Sequence, residues 1–179
     1  KVMNFGVIYG LSAFGIANQT DLSMEEGAQF ISTYMGTYPR VKEYLDETLD
    51  YARQLGYVET LLGRRRYLPE ITSSNRQLRQ ASERMAVNMP VQGTAADIVK
   101  AAMIEVQSRL VQEKMESTML LQVHDELVFE VPNSEIAALS NHLEEIMPRA
   151  LNMVVPLLIE IKKGASWGTM KPANLHLKG

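Results

Sequence analysis

Two alternating apolar runs, separated by a few polar residues, constrain the fold of this chain more than any other feature. The runs cover residues 119–123 and 127–131 and are rich in Leu, Val and Phe, which is typical of β-strands. So short a connection predicts a tight hairpin with His124 and Asp125 near its tip. Ionised carboxylates at the end of a buried hairpin need a partner, so Asp125 and Glu126 indicate a divalent-cation site. A solvated turn is the alternative interpretation.

The composition limits the class of protein. The chain has 179 residues, 46% of them apolar, which is enough for one large domain or two small ones. No run reaches the roughly 18 apolar residues of a membrane span, and we expect a cytoplasmic protein without membrane contact. There is no cysteine and the three histidines are scattered, so a metal would be held by oxygen or histidine ligands rather than thiolates.

Charge is distributed unevenly along the sequence. Six arginines and two acidic residues lie between positions 63 and 84, whereas seven acidic residues and one arginine lie between positions 125 and 160. A basic middle and an acidic end suit a protein that holds a polyanion at one place and metal ions at another. A solvated arginine-rich surface explains the basic part equally well.

The remaining patterns predict an α+β fold with a mainly helical first part and a boundary near residue 76. Helices are expected at residues 1–9, from the capping sequence at 21–23 to 35, at 39–55, at 76–88, at 94–112 with an interruption near Pro90 and Gly93, and from the Pro132-Asn133-Ser134 cap to about 151. Residues 57–62 are expected to form a strand or ribbon, 69–75 a loop, and 155–161 a third strand paired with the hairpin. The chain opens with Lys1 and structured sequence, so we expect one piece of a larger polypeptide.

Two sets of side chains recur at every fourth position and could share a helix face. Lys1, Phe5 and Tyr9 could present a cation to a phosphate and flat rings to a sugar and a base, although packing into a core is the simpler interpretation. Arg84, Asn88 and Gln92 carry donors for acceptor atoms on bases and sugars. In the minor groove those acceptors occupy similar places in every base pair, so such contacts would report pair geometry without reading sequence. A polar helix face is the alternative.

Several blocks of the sequence resemble the motifs of family A DNA polymerases, the bacterial polymerase I type, in the order of that family and over nearly the whole chain. The blocks are KVMNFGVIYG at 1–10, GYVET at 56–60, GRRRY at 63–67, ERMA at 83–86, NMPVQGTAAD at 88–97 and QVHDE at 122–126. The resemblance implies an incomplete right-hand polymerase architecture. Residues 1–75 would be a partial fingers domain, and residues 76–179 the C-terminal part of the palm, with an antiparallel sheet flanked by helices.

The resemblance also implies roles for individual residues in adding dNTPs to a primer 3′-hydroxyl. Asp125, with Glu126 beside it, would be the catalytic carboxylate pair that binds two Mg²⁺ ions. Lys1 would contact the incoming triphosphate, Phe5 its sugar, and Tyr9 the template base. A phenylalanine at position 5 implies discrimination against dideoxynucleotides. The residues expected to contact primer-template DNA are Tyr9, Arg64, Arg65, Arg66, Arg84, Asn88, Gln92, Gln122 and His124.

The chain lacks one element that the resemblance leads us to expect. The first carboxylate motif of the family, an aspartate that ends a strand before a Tyr-Ser-Gln-Ile-Glu-Leu-Arg-like run, has no counterpart. Asp50-Tyr51 matches it only superficially and lies in a helical pattern. We therefore expect the chain to be inactive alone and to need an N-terminal polymerase portion, either as a second chain or from the same polypeptide.

Two rival functions follow from the same residues. A non-catalytic DNA-binding remnant would keep Arg84, Asn88 and Gln92 without nucleotide incorporation. A related single-subunit polymerase of RNA or viral type would share the palm, although Phe5 together with Tyr9-Gly10 favours DNA synthesis.

Overall fold

The computed structural model describes residues 6–173 and contains helices and small antiparallel sheets. The α+β fold predicted from the sequence is therefore confirmed. The chain groups into two compact units, one ending at Ala95 and the other beginning at Ala96. The assignment of residues 1–75 to fingers and 76–179 to palm stays a prediction.

Between residues 13 and 55, three helices precede the first strand, and their ends follow from local capping. Helix α1 (Ala13–Gln19), which the sequence patterns did not suggest, begins where the Ser12 hydroxyl accepts a hydrogen bond from the Gly15 amide. Helix α2 (Met24–Thr37) begins with a capping box between Ser23 and Glu26. Helix α3 (Pro39–Leu55) ends at Gly56, whose φ of 74° is a conformation that favours glycine. The predicted starts of α2 and α3 are confirmed.

A two-stranded ribbon packs on the first part of a long helix in the same unit. Strand β1 (Tyr57–Glu59) pairs antiparallel with β2 (Arg65–Tyr67), which the sequence patterns did not predict as a strand. The core of this unit contains Ala52 from α3, Val58 from β1, Leu68, Ile71 and Ala86. Residues 69–75 contain no helix or strand, as predicted.

Helix α4 (Arg76–Gln112) is continuous, so the predicted interruption near Pro90 and Gly93 is wrong. Proline within a helix removes one hydrogen bond and costs about 3 kcal/mol. Packing on both sides of Pro90 outweighs that cost, because Ala86 and Val87 are buried before it and Ala102 and Val106 after it.

The second unit packs a hairpin and a short helix against the later part of α4. The hairpin consists of β3 (Thr118–Val123) and β4 (Glu126–Glu130), and helix α5 (Ile136–Ile146) follows it. The predicted Pro132-Asn133-Ser134 cap is wrong, since Glu135 is the N-cap residue. The helix ends at Ile146 rather than near 151, and Met147–Arg149 form a 3₁₀ turn. Pro148 explains this end, because it has no amide to continue the α-helical ladder.

The third strand predicted at residues 155–161 is wrong for the residues that the structure describes. The alternation that suggested it is present, with Ile159 and Ile161 packed against the core and Leu158 exposed. The segment nevertheless forms no strand, and the hairpin sheet has two strands. Strand β5 (Lys162–Lys163) instead pairs with β6 (Lys171–Pro172), with a 3₁₀ turn at Trp167–Thr169 between them. Among residues 6–173, no helix has the length and apolarity needed to cross a membrane.

Candidate nucleic-acid interface and carboxylate hairpin

The ribbon and helix α4 enclose an open cleft of about 490 Å³ within the first unit. Its walls bring together five residues predicted to bind DNA, namely Arg64, Arg65, Arg66, Asn88 and Gln92. Met85, Met89 and Gly93 complete the lining. The structure thus combines the arginine run and most of the α4 stripe, which are more than twenty residues apart in sequence, in one basic cleft.

A network of hydrogen bonds centred on Thr60 fixes the turn that carries the arginines. The Thr60 hydroxyl accepts bonds from the amides of Leu62 at 3.3 Å and Arg64 at 3.1 Å. The Leu61 amide donates to the Thr94 hydroxyl of α4 at 3.0 Å. These bonds hold the ribbon against the helix and so determine where the arginines lie relative to Asn88 and Gln92.

Gly93 allows the ribbon to approach α4 this closely. A Cβ atom added at Gly93 would lie 2.6 Å from the methyl carbon of Thr60. Carbon atoms in ordinary contact are about 3.5–4.0 Å apart. Glycine is therefore required here for space, within a helix that it otherwise destabilises.

The α4 stripe is preserved because the helix is continuous through Pro90. Arg84 and Gln92 are exposed and Asn88 is half-buried. Among the described residues, the Asn88 Oδ1 atom is buried and has no hydrogen-bond partner. An amide oxygen can only accept a hydrogen bond, so a partner for this atom would have to be a donor.

Tyr9 lies where a helical segment at residues 6–8 ends in a turn. The neighbouring Gly10, with φ of 74°, is close to α4, since a Cβ added there would lie 3.7 Å from Arg84 Cγ and 3.8 Å from Val87 Cγ2. The structure therefore brings the Tyr9 turn near the start of the α4 stripe. Lys1 and Phe5 lie outside the described residues.

The hairpin turn has the two residues predicted for its tip. Val123 pairs with Glu126, which leaves His124 and Asp125 as a two-residue connection. His124 has φ of 54°, a left-handed conformation that histidine seldom adopts. The Gln122 side-chain amide donates to the His124 carbonyl at 2.8 Å and supports this turn. The turn therefore places two consecutive carboxylates at the end of the sheet, without the Asn-Gly or Asp-Gly sequence common in such turns.

The hairpin is more exposed than the sequence suggested. Leu120 and Leu121 are exposed on β3, and His124, Asp125 and Glu126 are exposed as well. A bulge between Met119 and Leu121 gives β3 one extra residue. Only the inner part, including Met119 and Phe129, packs against the core. The prediction of a buried hairpin is therefore wrong for the outer part of the hairpin that the structure describes.

The base of the hairpin is fixed by Glu135. Its carboxylate accepts bonds from the Ser117 hydroxyl at 2.5 Å and from the amides of Glu116 and Ser117 at 2.9 Å each. The hydrogen bond from the Ser117 side chain, together with those from the two amides, lowers the pKa of Glu135. This contact ties the residue before α5 to the segment that leads into β3.

The carboxylate pair has the correct donor atoms for Mg²⁺ but forms only part of a ligand set. Mg²⁺ prefers oxygen ligands in octahedral geometry and often retains water. Exposed carboxylates at Asp125 and Glu126 suit it. Within residues 6–173, no three His, Asp or Glu side chains converge as a metal site would require.

Sequence reasoning missed Thr60, Thr94, Gly93 and Glu135, which position the other residues. Their interactions join segments 18–33 residues apart, which no local pattern displays. The one available signal was Gly93 itself, because a glycine within a strongly helical pattern often marks a close approach.

Comparison with known proteins agrees with this architecture. The model of the family described as DNA polymerase family A matches residues 1–169. The chain is 46% identical over 167 residues to DNA polymerase I of Bacillus caldotenax, covering 93% of this chain and 19% of that protein. It is 49% identical over 168 residues to DNA polymerase I of Mycobacterium leprae, covering 94% of this chain and 18% of that protein.

Among solved structures, the chain is similar to the polymerase domain of Pol1 from M. smegmatis, described as a complex with DNA primer-template and dNTP. The TM-score is 0.85 at 48% identity, covering 88% of this chain and 28% of that one. The fold is thus that of part of a polymerase domain. The chain belongs to DNA polymerase family A, and it spans about a fifth of the length of the curated relatives it matches.

Proposed function

We propose that this chain forms the fingers tip and the C-terminal palm of a DNA-templated DNA polymerase, which adds dNTPs to a primer 3′-hydroxyl. The observation that carries the proposal is the pair of consecutive carboxylates at the end of the β3–β4 hairpin, Asp125 in the two-residue turn and Glu126 at the start of β4. This turn occurs within the QVHDE block in a chain that belongs to DNA polymerase family A.

The cleft of the first unit would hold the primer-template duplex. Arg64, Arg65 and Arg66 would contact backbone phosphates, which supplies affinity but no sequence preference. Arg84, Asn88 and Gln92 would meet the minor groove, where acceptor atoms lie in similar places in all base pairs. The Asn88 Nδ2 group is the part of this amide that could donate to those acceptor atoms. Gln122 and His124 would contact the primer end near the hairpin.

The hairpin would contribute one of the two carboxylate motifs of a two-Mg²⁺ site. The ions, when bound, would activate the 3′-hydroxyl and stabilise the leaving pyrophosphate. Asp125 would ligate them directly and Glu126 more weakly. Asp125 ends the tight turn and Glu126 begins the paired strand β4, so the hairpin itself fixes how the two carboxylates are placed.

The nucleotide would be held by residues at the start of the chain. By the family resemblance, Lys1 would contact the triphosphate and neutralise charge that develops there, Phe5 would pack on the sugar, and Tyr9 would lie where the template base enters. The turn that carries Tyr9 lies beside α4 at Gly10, which supports a shared site for nucleotide and template contacts.

The enzyme would need an N-terminal polymerase portion, and this chain would be inactive alone. One carboxylate pair supplies too few oxygens for two Mg²⁺ ions. The hairpin sheet has two strands among the described residues, so an added strand could pair with one of its outer edges. The polymerase I relatives are about five times as long as this chain, which is consistent with such a portion.

Primer extension with Mg²⁺ and four dNTPs tests the proposal. The chain is assayed alone and with the complementary N-terminal part of a family relative such as the Bacillus caldotenax polymerase. Extension is expected only in the mixture or in a fusion of the two parts. Asp125→Ala should reduce it by at least about 10³-fold, corresponding to about 4 kcal/mol of transition-state stabilisation. Asp50→Ala, at an exposed helical carboxylate, is the matched control and should extend normally.

Each alternative result has a defined meaning. Extension by the chain alone would contradict the need for an N-terminal portion. Full activity of Asp125→Ala in the fusion would remove this residue from the metal site. DNA binding without extension in any arrangement would favour the binding remnant, and preference for ribonucleotides would favour the RNA-type polymerase.

A further inference from the structure

The cleft of the first unit contains a contact between an arginine and a methionine that the proposed function does not use. Arg66 on β2 is the partner of Val58, which is 1% exposed, so both side chains lie on the inner face of the ribbon. The Arg66 Nη2 atom donates a hydrogen bond to the Met85 sulfur atom of α4 over 3.1 Å. Both residues line the cleft. A cation expected to contact DNA therefore lies against a sulfur atom.

Met85 is accessible to small molecules that enter the cleft. The residue is 37% exposed, and the cleft of about 490 Å³ is open to solvent. Met89, one helical turn further along the same wall, is half-buried and packs against the core that contains Val58 and Ala86. Of the two methionines that line the cleft, Met85 is thus the more accessible one.

A thioether exposed in this way is open to oxidation by hydroperoxides. The sulfur atom takes the terminal oxygen of the hydroperoxide and the O–O bond breaks. The proton passes to the remaining oxygen, which leaves as an alcohol or, from hydrogen peroxide, as water. The sulfur loses two electrons and the peroxide gains them. The product is a sulfoxide, and reductases specific for that group restore the thioether.

Oxidation would strengthen the contact between position 85 and Arg66. A thioether is only a weak acceptor, so a DNA phosphate can draw the guanidinium away from it. A sulfoxide oxygen is polar and would lie one bond beyond the sulfur, beside a guanidinium that already donates to that sulfur. Hydrogen bonds from a charged donor are roughly twice as strong as neutral ones. The oxidised side chain would therefore compete with phosphate for Arg66.

We propose that Met85 is a peroxide-sensitive site whose oxidation holds Arg66 against α4 and weakens the binding of duplex DNA in the cleft. The inference rests on the proposed function, because it takes the cleft as the duplex site. The neighbouring Arg65 has other partners, since its guanidinium lies 4.4 Å from the centroid of the Tyr57 ring and donates to Glu59 at 3.2 Å. The change therefore concerns one phosphate contact rather than the whole basic cleft.

The loss of one phosphate contact has a signature in the salt dependence of binding. The slope of log affinity against log salt concentration changes by about 0.9 for each phosphate of duplex DNA that a protein neutralises. Oxidation of Met85 should therefore make this slope shallower by about 0.9. Between about 50 mM and about 200 mM salt, the fall in affinity of the oxidised chain should be about three- to fourfold smaller than that of the untreated chain.

The test treats this chain with hydrogen peroxide and maps sulfoxides by mass spectrometry of its peptides. The affinity for a blunt DNA duplex is then measured by fluorescence anisotropy across the same range of salt concentrations. Conversion of Met85 to the sulfoxide, together with the shallower slope, is expected. Treatment with methionine sulfoxide reductases should restore the original slope.

Four variants separate Met85 from other sites of oxidation. Met85→Leu cannot form a sulfoxide at this position, so peroxide should leave its slope unchanged. Met85→Gln carries an amide oxygen that can accept from Arg66, so it should have the shallow slope before treatment. Arg66→Ala should also have the shallow slope before treatment, and peroxide should not change it further. Met24→Leu, at a methionine of α2 that is 58% exposed, is the matched control and should respond to peroxide as the unchanged chain does.

Protection of Met85 under conditions that convert Met24 would overturn the inference, and so would a Met85 sulfoxide with an unchanged salt slope. An equal response of Met85→Leu, or a further response of Arg66→Ala, would also overturn it, since the effect would then come from another residue. All of these results leave the proposed function intact. Failure of the untreated chain to bind the duplex would overturn the proposed function and, with it, this inference. The peroxide treatment of the unchanged chain decides the matter even if a variant fails to fold.

Discussion

Substituting Gly93 with alanine tests the close approach of the ribbon to α4. In a helix, alanine is favoured over glycine by about 1 kcal/mol, so the change should stabilise the chain if space were available. The added Cβ would instead lie 2.6 Å from the Thr60 methyl carbon. Overpacking of this kind costs about 1–3 kcal/mol, so after the gain in helix propensity we expect Gly93→Ala to lower the free energy of unfolding by up to about 2 kcal/mol.

Thr60 cannot relieve the clash by a small movement. Its hydroxyl accepts two amide bonds, from Leu62 and Arg64, and the following residue is bonded to Thr94 on the helix itself. Thr60→Ser removes the methyl group and keeps the hydroxyl. In that background Gly93→Ala should be neutral or stabilising, so the coupling free energy in the double-mutant cycle equals the overpacking cost of about 1–3 kcal/mol.

Urea unfolding followed by circular dichroism measures all four chains of the cycle. Gly36→Ala in α2 is the matched control, because a Cβ added there meets no atom within 4 Å. That control should be stabilised by up to about 1 kcal/mol. Equal stability of Gly93→Ala and Gly36→Ala would show that the Thr60 methyl group does not limit the space at position 93. An unchanged effect of Gly93→Ala in the Thr60→Ser background would show the same.

Two further predictions concern the nucleotide site and the base of the hairpin. Phe5→Tyr should increase dideoxynucleotide incorporation by the completed enzyme, measured as chain termination in competition with dNTPs; unchanged discrimination would contradict the role assigned to position 5. Because hydrogen bonds from Ser117 and from the amides of Glu116 and Ser117 lower the pKa of Glu135, its stabilising effect is fully present above the ordinary carboxyl pKa and is lost as pH falls through the lowered value. At neutral pH, Glu135→Gln should therefore unfold at a lower urea concentration than the unchanged chain. This difference in midpoint concentration should become smaller at acidic pH. Glu144→Gln, at an exposed carboxylate of α5, is the control, and a pH-independent difference for Glu135→Gln would contradict this explanation.

Local signals in the sequence predicted the starts of α2 and α3 and the hairpin turn. The capping box at Ser23 and the proline and glycine around α3 act within one turn of helix, so their effect can be read from neighbouring residues. The two-residue turn at His124 and Asp125 was similarly local. Pro90 misled the prediction, because burial of Ala86 and Val106 on either side is a tertiary effect that overrides a local preference.

The missed and wrong elements depend on distant partners. The segment at 155–161 has strand periodicity, but a strand also needs a neighbour to pair with, and the described residues provide none. The predicted Pro132-Asn133-Ser134 cap did not include Glu135, whose hydrogen-bond partners are 18 and 19 residues away. For the site, the sequence identified the chemical groups but not the residues that hold them in position.

Because α4 continues through Pro90, it also sets a fixed distance between the ends of the stripe. Each residue advances about 1.5 Å along the axis, so the distance from Arg84 to Gln92 is about 12 Å. Stacked base pairs are about 3.4 Å apart, so a stripe of this length covers three to four of them. In a polymerase, that span would set how far from the primer end a mispaired base could still contact the stripe. A break at Pro90 would turn Arg84 and Gln92 in different directions, whereas the continuous helix keeps both side chains on one stripe.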